Sequence, residues 1–420
     1  MTYREAQDAF ESIPQFSTTS TLSRINSILD TLNRPEQQLK IVHVAGTNGK
    51  GSTSTMTARV LEEHGYKTGL FLSPYVVTFR ERISINGTPI SEADFARLAE
   101  ELLQIAEVMP DRPNFFELTT ALALRYFSEE NCDFVVLEVG MGGRLDATNA
   151  IPAPLVSVIT PIALDHTAYL GDTTGKIAQE KCGIIKPGSI VVSASSQPED
   201  ATQVIHSTCK ETKVPLYVAP KPQSVSCSLD ETCFSHQGNL YHLKLLGPHQ
   251  AENACTVLTV CEALKSQGVP LQDALCASGI AKAQLPARLE LLSRNPFCLL
   301  DGSHNPAGIR ALFTFLDTIP RTGKLITVFG CLKDKGFPEM CEIVSKKSNE
   351  MIITGCPSPR TAEFSDLIPY LTSQAVHDCP NPTEALKKAF ALASHEDLIV
   401  ICGSLYLAGS IKQLLIRQDI

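Results

Sequence analysis

HVAGTNGKGST, residues 43–53, decides how this chain is read: an apolar run enters a glycine-rich turn, then a lysine, then hydroxyl residues opening a helical pattern. The arrangement suits a polyphosphate. Gly46, Gly49 and Gly51 let the backbone aim several N–H groups at one anion, Lys50 adds a positive charge, and Ser52 or Thr53 offers a hydroxyl near Mg²⁺. The helix that follows adds the positive end of its dipole. The stretch departs from the usual phosphate-loop pattern, with Val44 in place of the first glycine and Gly51 between Lys50 and the hydroxyls. A purely structural glycine turn is the other reading.

Outward from the loop, apolar runs at residues 41–45, 68–72, 134–139, 155–159 and 190–194 read as strands, with helical patterns such as 91–108 and 116–129 between them. The first forty residues read as short helices. Residues 221–246 look like a small β excursion, followed by helices at 250–267 and 271–281. The segment 284–296, with two prolines and no strong periodicity, marks a domain boundary. Beyond it, strands at 297–301, 324–329, 351–354 and 397–402 alternate with helices, including 404–417. The expected fold is α/β: a phosphate-loop domain on a mainly parallel sheet over residues 1–290, then a smaller Rossmann-like α/β domain over 291–420.

A chain of 420 residues is too long for one comfortable core. Its 43% hydrophobic and 19% charged residues are those of an ordinary globular protein, and a net charge of −9 argues against a nucleic-acid surface. The 14 cysteines are scattered without a CxxC pair, which points to a reducing cytoplasm, and residues such as Cys255 and Cys261 read as small buried hydrophobes. No signal segment opens the chain and no apolar run reaches membrane-spanning length, so no membrane partner is expected.

The run DFVVLEVGMGGRLDATN, residues 133–149, ends an apolar strand on Glu138 and turns through three glycines. A carboxylate at that place, beside a phosphate loop, can hold Mg²⁺ directly or through water, or can cap a neighbouring loop. Asp146 can be a turn residue. The next strand leads to Asp165 and His166, where the imidazole is either a metal ligand or a group satisfied by the backbone. Lys181, in the helical segment beyond, has an ordinary solvated role as its alternative.

Taken together, HVAGTNGKGST, LSPYVVTFRERISING (72–87), EVGMGGRLDATN (138–149), LDHTAYLG (164–171), GPHQAENA (247–254) and LDGSHNP (300–306) resemble, in order, the folylpolyglutamate synthases and bacterial dihydrofolate synthases of the Mur ligase superfamily. The resemblance spans nearly the whole chain. It implies that Asn48, Gly49, Lys50, Gly51, Ser52, Asn253, Arg288 and Asp301 contact ATP, which lies between domains. Ser73, Glu138 and His166 match Mg²⁺ ligands, two ions being expected. Lys181 matches a carbamylated lysine, whose carbamate would turn a cation into an anionic oxygen ligand. His304, followed by Asn305, is placed close to the phosphates. Helix capping is the structural alternative for this pair, with Pro306 suited to an early helical position.

Contacts to the pterin fall, by the same resemblance, on Asn114, Phe115, Phe116 and Glu117, and on Leu145, Asp146 and Ala147. A flat heteroaromatic ring favours one of the two phenylalanines, either of which could equally be core. The segment VFGCLKDKG, residues 328–336, ends in glycine where the family often has an aspartate.

The implied activity is an ATP-dependent carboxylate–amine ligase joining L-glutamate to dihydropteroate and to tetrahydrofolate through an acyl phosphate. Lys50, Lys181 and His304 would be its catalytic side chains. The chain would act in the cytoplasm as a monomer, with domain closure bringing Arg288, Asp301 and His304 onto the nucleotide. The alternatives are a Mur-type ligase acting on a cell-wall precursor, which Gly51, LSPY and NFFE argue against, and a non-catalytic nucleotide switch.

Overall fold

Helices cover a mainly parallel sheet because its central strands are mainly apolar on both faces. The computed structural model describes residues 1–15, 21–372 and 375–417, the side chain of residue 417 excepted. Its first sheet has eight strands: β1 (Ile41–Ala45), β2 (Thr68–Phe71), β3 (Ile83–Ile85), β4 (Thr88–Pro89), β5 (Phe134–Glu138), β6 (Val156–Ile159), β7 (Ile190–Ser193) and β8 (Leu216–Val218). They lie in the order β4-β3-β2-β5-β1-β6-β7-β8. From β2 to β8 every neighbouring pair is parallel, and β1 and β5 are buried at every residue, as strands with helices on both faces must be.

The strands expected at residues 41–45, 68–72, 134–139, 155–159 and 190–194 are present to within a residue at their ends. The antiparallel hairpin of β3 and β4 is an addition. Its two-residue turn is Asn86-Gly87, both with positive φ, which is the standard short hairpin signal.

The molecule divides into two compact units, Met1–Lys221 with Glu252–Ala283 and Pro222–Ala251 with Gln284–Ile420. The chain therefore passes between units near residues 221, 251 and 283, where the sequence suggests one boundary. In the first unit a core cluster gathers Phe10, Phe71, Phe79, Phe95, Phe115 and Phe127, and another gathers Ala45, Ile159, Ile177, Val191 and Ile205. The phosphate-loop helix Lys50–Glu63 is braced at its far end, where Glu63 accepts from Ser278 (2.8 Å) and Lys282 (2.7 Å) of the helix Asp273–Lys282.

The second unit holds an antiparallel sheet of β9 (Gln223–Cys227), β10 (Thr232–His236) and β11 (Asn239–Leu243), the expected β excursion. It also holds a six-stranded sheet of β12 (Glu290–Arg294), β13 (Phe297–Leu300), β14 (Leu325–Phe329), β15 (Glu350–Ile353), β16 (Val376–Asp378) and β17 (Leu398–Cys402). Their order is β12-β13-β17-β14-β15-β16, parallel except for β12. β12 lies inside the stretch expected to be irregular. It is an edge strand broken by a bulge at Leu291/Ser293, so its two-residue alternation is lost. Cys255 and Cys261 are buried as expected. Among the described residues no helix is long and apolar enough to cross a membrane.

Candidate functional site

The turn after β1 is held by the segment after β6. The N–H groups of Thr47 and Asn48 both donate to the Pro161 carbonyl (3.0 and 3.2 Å), and the Thr47 hydroxyl donates to the Ala163 carbonyl (3.0 Å). Those two N–H groups are thus committed. The anion donors fall instead to Lys50, Gly51 and Ser52, which precede the first intrahelical bond, Thr53 N–H to Gly49 O at 2.9 Å. Gly49 has φ 82°, and a Cβ there would lie 2.4 Å from Asn253 Oδ1. The loop therefore needs glycine at this place for both conformation and space. Asn253, 204 positions away in sequence, is brought directly against it. The Lys50 ammonium donates to the Thr47 carbonyl at 3.2 Å.

Lys181 is not solvated. It is 4% exposed, and its amine donates to the Gly46 carbonyl at 2.7 Å. Burial, with the charge of Lys50 adding to it, lowers its pKa to about 7. Near neutrality a large share of this amine is therefore uncharged, the form that can take up CO₂.

Glu138, at the end of β5, is 4% exposed and accepts from the Ser73 N–H at 2.9 Å. Register pairs it with Val44 of β1, just before the loop. His166 lies beyond β6, on the other side of β1, with φ 50° at the start of the helix Thr167–Leu170; its N–H donates to Asp165 Oδ1 at 2.8 Å. The sheet order thus brackets the phosphate loop with two of the three expected metal-ligand positions, beyond the carboxyl ends of parallel strands. The buried Glu138 carboxylate and the Ser73 hydroxyl are the hard oxygen donors that Mg²⁺ takes and fit the ion, while the His166 imidazole is the one nitrogen donor of the set.

Asp146 serves its own turn. Its buried carboxylate accepts from the Thr148 hydroxyl (2.6 Å), the Thr148 N–H (3.0 Å) and the Met141 N–H (2.8 Å). Burial nevertheless raises its pKa above the usual carboxylate range. The Thr148 hydroxyl in turn meets His43 Nε2 at 2.9 Å, which links the turn to β1. Ala147 is buried and Leu145 half-buried.

The four residues 114–117 divide by role. Asn114 and Glu117 form a capping box for the helix Phe115–Glu129, and the Glu117 carboxylate also receives Arg24 Nε at 3.0 and 3.1 Å. Phe115 packs edge-on against Phe79 in the core. Phe116 is half-buried, and a Cβ on Gly140 would fall 2.5 Å from its ring. Of the two phenylalanines it is Phe116 that lies against the EVGMGG turn. Arg24 carries no signal of this role in the sequence, because nothing in its surroundings points to a partner 93 positions later.

In the second unit, Asp301 follows β13 and closes a local turn: its carboxylate accepts from the N–H groups of Leu289 and Ser303, both at 2.9 Å. Arg288 donates to the Ala287 carbonyl at 3.1 Å, in a stretch where Ala287 and Leu289 both have positive φ. His304 Nδ1 lies 3.0 Å from the Gly302 carbonyl. Asn305 caps the helix Pro306–Thr318 by accepting from Gly308 N–H at 2.8 Å, the structural role open to it, with Pro306 at the first helical position. His249 is an addition: its Nδ1 is buried without a hydrogen-bond partner among the described residues. Burial holds its pKa below the usual value, opposed by Asp301 and reinforced by Arg288. Its signal in the sequence is GPHQAENA, the segment that also carries Asn253.

The chain matches known proteins along nearly its whole length. Residues 44–261 match the Mur ligase middle domain, and residues 287–405 match the Mur ligase, glutamate ligase domain. The chain is 33% identical to the dihydrofolate synthase/folylpolyglutamate synthase of Bacillus subtilis (strain 168), over 98% of this chain and 99% of that one. Among solved structures, the Mycobacterium tuberculosis folylpolyglutamate synthase complexed with ADP and AMPPCP superposes with a TM-score of 0.89 at 29% identity, covering 98% of each chain. The Escherichia coli FolC in complex with DHPP and ADP gives 0.88 at 27% identity, covering 100% of this chain and 99% of that one. The chain belongs to the Mur ligase family and, within it, to the dihydrofolate synthase/folylpolyglutamate synthases.

Proposed function

We propose that this chain is an ATP-dependent ligase that adds L-glutamate to dihydropteroate and to tetrahydrofolate. The observation that carries the reading is the carboxyl edge of the first sheet, where the helix start at Lys50–Ser52 and the buried Lys181 amine meet one glycine-rich turn and the buried Glu138 ends the strand beside β1. A carboxylate is a poor electrophile, so it is first phosphorylated by ATP, and the amine of glutamate then displaces phosphate from the acyl phosphate. Lys50 and the N–H groups of residues 50–52 stabilise charge on the transferring phosphoryl group. Mg²⁺ held by Ser73, Glu138 and His166 would supply further neutralisation of that charge.

Lys181, carbamylated from its neutral amine, would add an anionic oxygen beside Gly46. Phe116, with Leu145 and Ala147, offers the pterin an apolar surface, while Asn114, Phe115, Glu117 and Asp146 hold the segments that carry it. Asn48 and Asn253 flank the turn on the ATP side. The second unit's Arg288, Asp301 and His304 are assigned to ATP on the family resemblance. The ADP, AMPPCP and DHPP of the structural neighbours support a nucleotide and an acceptor of this class. We place the protein in the cytoplasm as a monomer, with residues 1–290 as the ATP-binding part and 291–420 as the ligase part.

The test is phosphate release from the purified chain with ATP, Mg²⁺ and glutamate, offering dihydropteroate, tetrahydrofolate or a cell-wall nucleotide precursor, with products weighed by mass spectrometry. Glutamylated products from both pterins are expected. Turnover with the cell-wall precursor alone, or with no acceptor at all, would refute the proposal.

A further inference from the structure

We propose that Glu231, Cys233 and His242 form a binding site for a divalent transition-metal ion of the Zn²⁺ class on the exposed face of the three-stranded sheet. One ligand atom from each lies within 4.8 Å of the other two. His242 Nδ1 is 3.3 Å from Cys233 Sγ and 3.1 Å from Glu231 Oε2. Tetrahedral bonding at about 2.3 Å to sulfur and about 2.0–2.2 Å to nitrogen and oxygen places such ligand pairs roughly 3.4–3.6 Å apart. The side chains need to open by only a few tenths of an ångström.

The strands set this spacing. Cys233 and His242 are direct cross-strand partners in the antiparallel pair β10–β11. Glu231 stands two residues before Cys233, so the two-residue repeat of an extended chain puts it on the same face. That face is open, whereas Thr232, Phe234, Tyr241 and Leu243 on the other are buried. The His242 and Glu231 side chains are about half exposed, at 52% and 49%, which gives an ion a way in.

The donor types choose the ion. A thiolate, an imidazole and one carboxylate suit Zn²⁺ or Co²⁺ and not Mg²⁺ or Ca²⁺. A reactive-thiol role fits less well, because burial and the Glu231 carboxylate push the Cys233 thiol above its ordinary pKa, the opposite of an activated cysteine. On binding, the thiol proton leaves to solvent, His242 takes the tautomer protonated on Nε2, and water completes the fourth position. The site would staple the edge pair of a small sheet.

The test is titration of the metal-stripped full chain with Co²⁺, following the near-ultraviolet thiolate-to-cobalt charge-transfer band, with Zn²⁺ added to displace it. One equivalent is expected. Cys233→Ser should abolish the band. His242→Gln, at an exposed position, should weaken binding by more than the ~10–100-fold that loss of an outer-shell partner costs. A wild-type chain without the band, or a band that survives in Cys233→Ser, would overturn the proposal. The phosphate-loop region contributes no thiolate ligand, so failure of the ligase assay leaves this result readable.

Discussion

The Lys181 amine and the Gly46 carbonyl oxygen meet at 2.7 Å, so the helix Thr174–Cys182 is pinned to the turn that opens the phosphate loop. An ammonium ion buried there costs solvation, and the pKa falls to about 7 against an ordinary 10.5. Between these values the unfolded chain binds more protons than the folded one, so Lys181 makes stability rise with pH from about 7 to 10.5. Lys181→Met should flatten the denaturation midpoint over that window relative to wild type. The same variant should lose about 10²–10³-fold in kcat if the residue acts on the transferring phosphoryl group. Carbon-13 NMR in labelled bicarbonate should show a carbamate signal in the wild type and none in Lys181→Arg.

His43 makes the opposite end of the scale visible. Fully buried, with Nε2 on the Thr148 hydroxyl, it is lowered to about 3 by burial, the charge of Lys186 adding to it. The unfolded imidazole titrates near 6.5, so the contribution is fully present above that pH and is lost as pH falls toward 3. In that window His43 should cost the wild type up to about 1.4 kcal/mol per pH unit. His43→Asn should show a correspondingly shallower acid limb in urea melts. Identical limbs would contradict a buried neutral imidazole.

The two adjacent phenylalanines should separate by assay. Phe115→Ala empties a core position and should cost about 3–5 kcal/mol of stability. Phe116→Ala, half-buried against the glycine turn, should raise the KM for the pterin substrate with a smaller loss of stability. Gly140→Ala, whose Cβ would fall 2.5 Å from the Phe116 ring, should shift that KM in the same direction. Thermal melts beside steady-state kinetics decide it, and a pterin KM unchanged in both variants would remove Phe116 from the site.

Glu117 should behave as a structural group. Its carboxylate receives Arg24 and the Asn114 N–H inside the protein, so Glu117→Ala takes from the buried guanidinium its buried partner, leaving it the exposed Asp111 carboxylate at 3.0 Å, and should cost up to about 3–5 kcal/mol. Arg24 and Glu117 replaced together should cost less than the sum of the single changes. A Glu117 variant that melts like the wild type while its pterin KM rises would make it a substrate contact instead.

The sequence by itself determined the architecture and pointed to the sheet edge at which the chemistry is proposed. β1, β5, β6 and β7 were legible because strands buried on both faces are built mainly of apolar residues, and the loop at residues 46–52 was legible because a phosphate-loop pattern sets glycines and a lysine next to one another. The tertiary structure decided what depends on partners distant in sequence. It buried Lys181 and lowered its pKa, set Asn253 against Gly49, joined Arg24 to Glu117, and turned Phe115 inward while leaving Phe116 beside Gly140. Burial and hydrogen-bond satisfaction are properties of neighbours in space, and a residue's own type and spacing do not encode them.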